Sequence, residues 1–117
     1  MSDIRSFVDT IFDELVSIRR DIHAHPELGH EEFHASQTMV DLLRKAGYQV
    51  EYPYLDYPTG FRGVLKTGEG PSVALLVEYD ALPVVGHACG HNVHGSMSIL
   101  AAMALAQHKE LFQGTLY

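Results

Sequence analysis

The stretch SVALLVEYD, residues 72–80, is an apolar run that ends in two carboxylates, and it leads into the loop ALPVVGHACGHNVH, residues 81–94. From Val73 to Val77 no polar residue interrupts it. An unbroken run of this length is the pattern of a central strand buried on both faces, not of a half-exposed one. After the loop, GSMSILAAMALAQHKEL, residues 95–111, predicts an apolar helix whose small residues permit close packing on a sheet. QGTLY, residues 113–117, then reads as the start of another strand. Strand, loop, helix and strand in that order make the βαβ unit of a parallel α/β sheet.

Working toward the N-terminus, FRGVLKTG reads as a further strand, closed by the GEGP turn. Before it, Tyr48, Val50, Tyr52 and Tyr54 alternate with Gln49, Glu51 and Pro53, which predicts a half-exposed strand. Pro53 offers no ladder hydrogen bond, so that strand lies at an edge or ends there. Two helices precede it. Ile4, Phe7, Val8, Ile11, Leu15, Ile18 and Ile22 recur at steps of three and four, one apolar stripe over residues 3–25. Ser2 suits its N-cap and Asp3 the positive end of its dipole, while Pro26 disfavours helix at His25. HPELGHEE reads as a turn. The second helix covers residues 31–46, with Phe33, Ser36, Val40 and Leu43 facing inward and Gly47 as the residue just past its end.

A central strand and its crossover helix need neighbours on both sides, and the 117 residues stop as the next strand begins. The expectation is the N-terminal part of a larger α/β domain spanning residues 1–117, with a small complete α+β domain as the alternative. Composition sets further bounds. Hydrophobic residues make up 46% and charged residues 20%, a folded rather than a disordered balance. The net charge of −7, without a Lys/Arg cluster, argues against nucleic acid or an anionic membrane as partner. There is no signal-peptide layout and no apolar run near the roughly 20 residues that span a bilayer. A single cysteine forms no internal disulfide, which fits a reducing compartment and a cytoplasmic location.

That cysteine, Cys89, stands in GHACGHNVHG, residues 86–95, with three histidines. The loop follows the C-terminal end of a strand, where open α/β sheets place their ligand sites. Gly90 lets thiolate and imidazole of Cys89 and His91 converge. Such a pair favours zinc, with manganese, cobalt or nickel as further options. His94 follows three residues later and can share that face; Glu78 and Asp80 stand just upstream. Each residue has a plainer reading too. Cys89 can be a small buried hydrophobe or a nucleophile activated by His87 or His91. Asp80 can cap the DALP turn, Glu78 can be a solvated strand-end charge, and His87 can hold the loop by a hydrogen bond. His23 and His25 read as ordinary helix-end histidines, favourable at the negative pole.

Taken together, RRDIHAHPELGHEEFHAS, EYDALPVVGHACGHN and the closing GTLY resemble the aminoacylase/carboxypeptidase family of dinuclear zinc metallopeptidases, peptidase family M20. The branch is that of the amidohydrolases acting on indole-acetyl-amino acids, N-acyl amino acids and aminobenzoyl-glutamate. The resemblance runs from about Arg19 to Tyr117; HPEL, DALP and HACGH are specific in that order and weak singly. It implies a three-layer α/β/α zinc-peptidase catalytic domain, of the phosphorylase/hydrolase-like kind. It implies two divalent ions, zinc first and manganese second. Cys89 and His91 match the ligands of the branch's Cys-Gly-His motif, the cysteine standing where other branches have a bridging aspartate. Asp80 matches the active-site aspartate that orients a ligand. Glu78 occupies the place of those branches' metal-binding histidine, a role for which His91 is then the candidate. Asn92 replaces the usual aspartate, a variant like that of the aminobenzoyl-glutamate subgroup. The family's general base, remaining ligands and lid or dimerisation domain would follow Tyr117. The implied activity is metal-dependent hydrolysis of a small-molecule amide by a homodimer. The alternative is an inactive fragment that keeps a partial metal-binding loop.

Overall fold

The computed structural model describes the backbone of residues 2–117 and the side chains of residues 4–117, so the capping roles read for Ser2 and Asp3 lie outside the described side chains. Helix α1 runs over Ser2–Ala24 and stops before Pro26, as the proline requires. Leu15 and Ile22 of its stripe are buried, and Ile11 and Ile18 pack against the core. Helix α2 covers Phe33–Ala46. Gly47 follows it in the left-handed region at φ 108°, and its N–H closes the last turn onto Arg44.

The start of α2 departs from the sequence reading. It begins at Phe33, not residue 31, and Phe33 is exposed while Ser36, Val40 and Leu43 are buried as expected. The cap explains the shift. Glu32 precedes the helix without a side-chain capping bond. Glu27 of the HPEL turn does that work instead: its Oε2 accepts from His34 N–H and its Oε1 from Ala35 N–H, both at 2.8 Å. A carboxylate on two free amides at the positive end of a helix is a strong cap. Glu32 is turned inward, where its Oε1 accepts the Thr59 hydroxyl at 2.9 Å.

Strands β1 (Gln49–Glu51) and β2 (Arg62–Lys66) pair antiparallel, with Val50 opposite Gly63. Strand β3 (Ser72–Val73) leads through helix α3 (His91–Gln107) to strand β4 (Thr115–Leu116), and β3 and β4 pair in parallel. This is the expected βαβ unit. The sheet order is β1-β2-β4-β3, which puts β1 at one edge, consistent with Pro53. β1 is shorter than the alternation from Tyr48 to Tyr54 predicts, because the chain turns after Glu51; Tyr54 N–H bonds to Gly60 and Tyr57 N–H to Tyr54.

The run Ser72–Asp80 is less buried within these residues than an unbroken apolar run predicts: only Ser72–Val73 is strand, and it stands last in the sheet order, paired on one side with β4. Its ladder to β4 ends where Leu75 N–H meets Tyr117 C=O at 2.8 Å. Val73 is 58% exposed and Leu76 73% exposed. Apolar composition records what a strand is suited to bury; it does not record how many neighbours lie beside it within these residues. α1 and α2 pack on α3, and the core gathers Leu15, Ile22, Met39, Leu43, Leu65 and Ile99.

α3 also begins earlier than expected, at His91 instead of Gly95. Gly90 precedes it at φ 86°; nothing crowds a side chain there, so the left-handed backbone is what selects glycine. Gly95 is glycine for a different reason. A Cβ at that position would stand 2.4 Å from the carbonyl oxygen of Glu78 and 2.7 Å from Met39 Cε. Helix and strand end touch there by backbone.

Candidate metal-binding active site

The contact at Gly95 sets the first turn of α3 against the carboxylates that end the apolar run. His91 is held between them. Its Nδ1 lies 2.7 Å from Asp80 Oδ1 and 3.1 Å from the Asp80 carbonyl oxygen. Its Nε2 lies 3.0 Å from Glu78 Oε2. The side chains of His91, Glu78 and Asp80 are 29%, 50% and 39% exposed, so the group opens to solvent on one side. Partial burial works against the imidazolium. The hydrogen bond that His91 donates to Asp80 and the charges of Asp80 and Glu78 outweigh it and hold His91 above its ordinary pKa. Asp80 is fixed in turn, because the next residue's N–H, Ala81, donates 2.7 Å to Glu27 C=O, and Leu28 bridges Ala81 in parallel. The HPEL turn and the DALP segment are therefore one structural unit.

Cys89 is a free, exposed thiol in the loop just before α3. The remaining sequence candidates divide. His87 is buried, 7% exposed, and neither ring nitrogen has a hydrogen-bond partner. Burial first, then the neighbouring His23 and His91, pushes its pKa down. Asn92 is buried and its Nδ2 donates 3.4 Å to Arg19 C=O, tying α3 to α1. His94 is exposed in the first turn of α3. A cavity of about 430 Å³ lies against His23, His87 and Asn92. Another of about 310 Å³ adjoins Asp80, lined by His30, Glu32, Thr59 and Tyr79.

The donor set fits part of a divalent ion's shell. An imidazole whose Nδ1 is engaged by a carboxylate presents Nε2 as the ligand atom, and at His91 that atom already adjoins the Glu78 carboxylate. A free thiol in the same loop adds the soft ligand that zinc accepts. Among the described residues, the three-donor group that does come together lies elsewhere: Asp21, His25 and His34, with ligand atoms all within 4.8 Å of one another. Sequence reasoning missed it. Asp21 and His25 stand four apart where α1 ends, a readable signal, but His34 joins them only through the HPEL turn. Glu27 was missed as well, since a cap supplied from outside the helix leaves no pattern in it.

No protein-family profile matches the chain. Individual proteins do. The chain is 40% identical to IAA-amino acid hydrolase ILR1-like 2 of Arabidopsis thaliana, over 90% of its own length and 27% of that protein's. It is 35% identical to thermostable carboxypeptidase 1 of Saccharolobus solfataricus, over 95% of its length and 32% of the relative's. It is 31% identical to N-acetyl-L-cysteine deacetylase of Bacillus subtilis, over 92% and 29%. Among solved structures, a dinuclear metal-binding peptidase of the M20 family from Bacillus subtilis superimposes with a TM-score of 0.81 at 28% identity, covering 92% of this chain and 34% of that one. An aminohydrolase from Staphylococcus aureus gives 0.84 at 25% identity, covering 93% and 31%. The chain thus spans 27–32% of the length of these curated relatives, and its α/β fold matches 31–34% of the two solved structures.

Proposed function

We propose, from the chain's kinship with the M20 metallopeptidases, that it forms part of the metal-binding side of an amidohydrolase active site. The whole protein would cleave the amide bond of N-acyl amino acids or small peptide-like conjugates. Kinship to hydrolases holds over nearly the whole chain. The single observation that carries the reading is His91, locked by Asp80 on one nitrogen and beside Glu78 on the other.

Two divalent ions, zinc first and manganese second, would supply Lewis acidity for the scissile carbonyl and for a water. Cys89, as thiolate, and His91 would hold them. Asp80 would be the residue that fixes the tautomer and direction of His91. Glu78, His87, Asn92 and His94 would surround the ligands, Glu78 from the nearest position. A carboxylate base from beyond these residues would move the proton from water to the leaving amine. The chain alone, which gathers no group of three donors around Cys89 among the described residues, would not turn over. The partner would be a small-molecule amide, and the whole protein would be a cytoplasmic homodimer. No helix among the described residues is long and apolar enough to cross a membrane.

The test is metal content and amidase activity of the whole protein carrying Cys89→Ala or His91→Ala. Both should lose metal and activity together. Normal metal and full activity in either variant would end the assignment.

A further inference from the structure

A second donor cluster stands where α1 ends and α2 begins. Asp21 lies in the last turn of α1, His25 stands just past the helix end, and His34 is the second residue of α2. The Asp21 carboxylate sits between the two imidazoles. Its Oδ1 is 3.3 Å from His25 Nδ1 and its Oδ2 is 2.5 Å from His34 Nε2. The ring centroids are 5.2 Å apart, and the three ligand atoms all lie within 4.8 Å of one another. The backbone beneath is held firmly: Glu27 clamps the His34 and Ala35 amides, and Pro26 ends α1.

We propose that Asp21, His25 and His34 form a divalent transition-metal site of the zinc type that clips the end of α1 to the start of α2, apart from the Cys89–His91 loop. Two imidazoles and one carboxylate are a borderline donor set, suited to zinc, cobalt or nickel rather than to magnesium or calcium. Tetrahedral ligands about 2.0–2.1 Å from an ion stand about 3.3 Å from one another. The Asp21–His25 separation already has that value, and His25 Nδ1, which lies 2.8 Å from the Asp21 carbonyl oxygen, must exchange that hydrogen bond for the ion. The Asp21–His34 pair must open by less than about 1 Å, a small rotation for side chains that are 43% and 48% exposed. The same exposure leaves the fourth position to water. The negative end of the α1 dipole adds a favourable field for a cation. An ion here would cross-link two helices across the HPEL turn, whose other side anchors Ala81 beside Asp80. Because the three donors converge only in the fold, occupancy would raise the melting temperature.

The ion chosen as probe is Co²⁺, whose spectrum separates the two sites. The protein carrying Cys89→Ser and His91→Ala should still bind one equivalent, with d–d bands and no thiolate charge-transfer band. Adding His34→Ala should weaken binding by about tenfold or more, and His25→Ala should do the same. In otherwise unaltered protein, Zn²⁺ should raise the melting temperature, and His34→Ala should remove that rise while leaving the Co²⁺ charge-transfer band of Cys89. Should the Cys89→Ser/His91→Ala protein fail to fold, this second comparison decides alone. Affinity unchanged by His34→Ala and His25→Ala, or no binding outside the Cys89 loop, would overturn the proposal. Either result leaves the amidohydrolase reading where it stood.

Discussion

The two ends of the run from Ser72 to Asp80 behave oppositely. At its start, Val73 and Leu76 face solvent and one neighbouring strand holds the backbone as far as Leu75. At its finish, Tyr79 and Ala81 are buried, α3 touches the Glu78 carbonyl through Gly95, and the HPEL turn bonds to Ala81. Sheet pairing does not position the carboxylates of the candidate site. A helix contact and a turn do. The difference teaches that preorganisation here comes from side-on packing, and mutations at the two ends should separate it.

The largest effect belongs to Gly95→Ala. Its added methyl meets a backbone carbonyl that cannot move aside cheaply, so the cost should be about 1–3 kcal/mol, read as a lower denaturation midpoint, together with a loosened Asp80–His91 pair. Glu27→Ala should follow, at about 1–2 kcal/mol for the lost cap on two amides. Glu27→Gln should recover part of that, because one oxygen still accepts. Undiminished stability in Glu27→Ala would show that the turn does not hold the site.

Titration probes the same finish end more gently. The fold favours the imidazolium of His91, so in metal-free protein this group stabilises below about pH 6.5, the unfolded value, and the contribution fades as pH rises through its higher folded pKa. His87 has the opposite sign. The fold favours its neutral ring, so stability falls as pH drops below about 6.5 toward its lowered pKa. Imidazole NMR titrations should place His91 above His87, and Asp80→Asn should bring His91 down. At the other end of the run, Leu76→Thr should change stability by less than about 0.5 kcal/mol, since that side chain is 73% exposed. A large loss there would mean that this edge is covered in solution.

The helical layer was readable because its signals are local. The stripe on α1, Pro26 and Gly47 each act within a turn of where they stand, and α1 and the end of α2 follow them. The order β3, α3, β4 was readable for the same reason. What escaped was set at a distance. An apolar run looks alike at the centre of a sheet and at its edge, so the exposure of Val73 and Leu76 among these residues does not follow from it. The start of α2 depends on Glu27, and the start of α3 on a left-handed Gly90 that does not need a side-chain cap. Cys89, His91, Asp80 and Glu78 were picked out from residue chemistry and motif resemblance. The clamp on His91 could be seen only once α3 was set against the strand end. Asp21 and His25 stand four apart at the end of α1, but no spacing in the chain announces that His34 of α2 joins them.

The central claim is that the entry to α3 ligates metal through Cys89 of the preceding loop and His91 of the first helical turn. X-ray absorption at the zinc edge of the metal-loaded whole protein tests it most directly. The account predicts a sulfur scatterer at about 2.3 Å that disappears in Cys89→Ser. A first shell of nitrogen and oxygen alone, identical in both proteins, would contradict it.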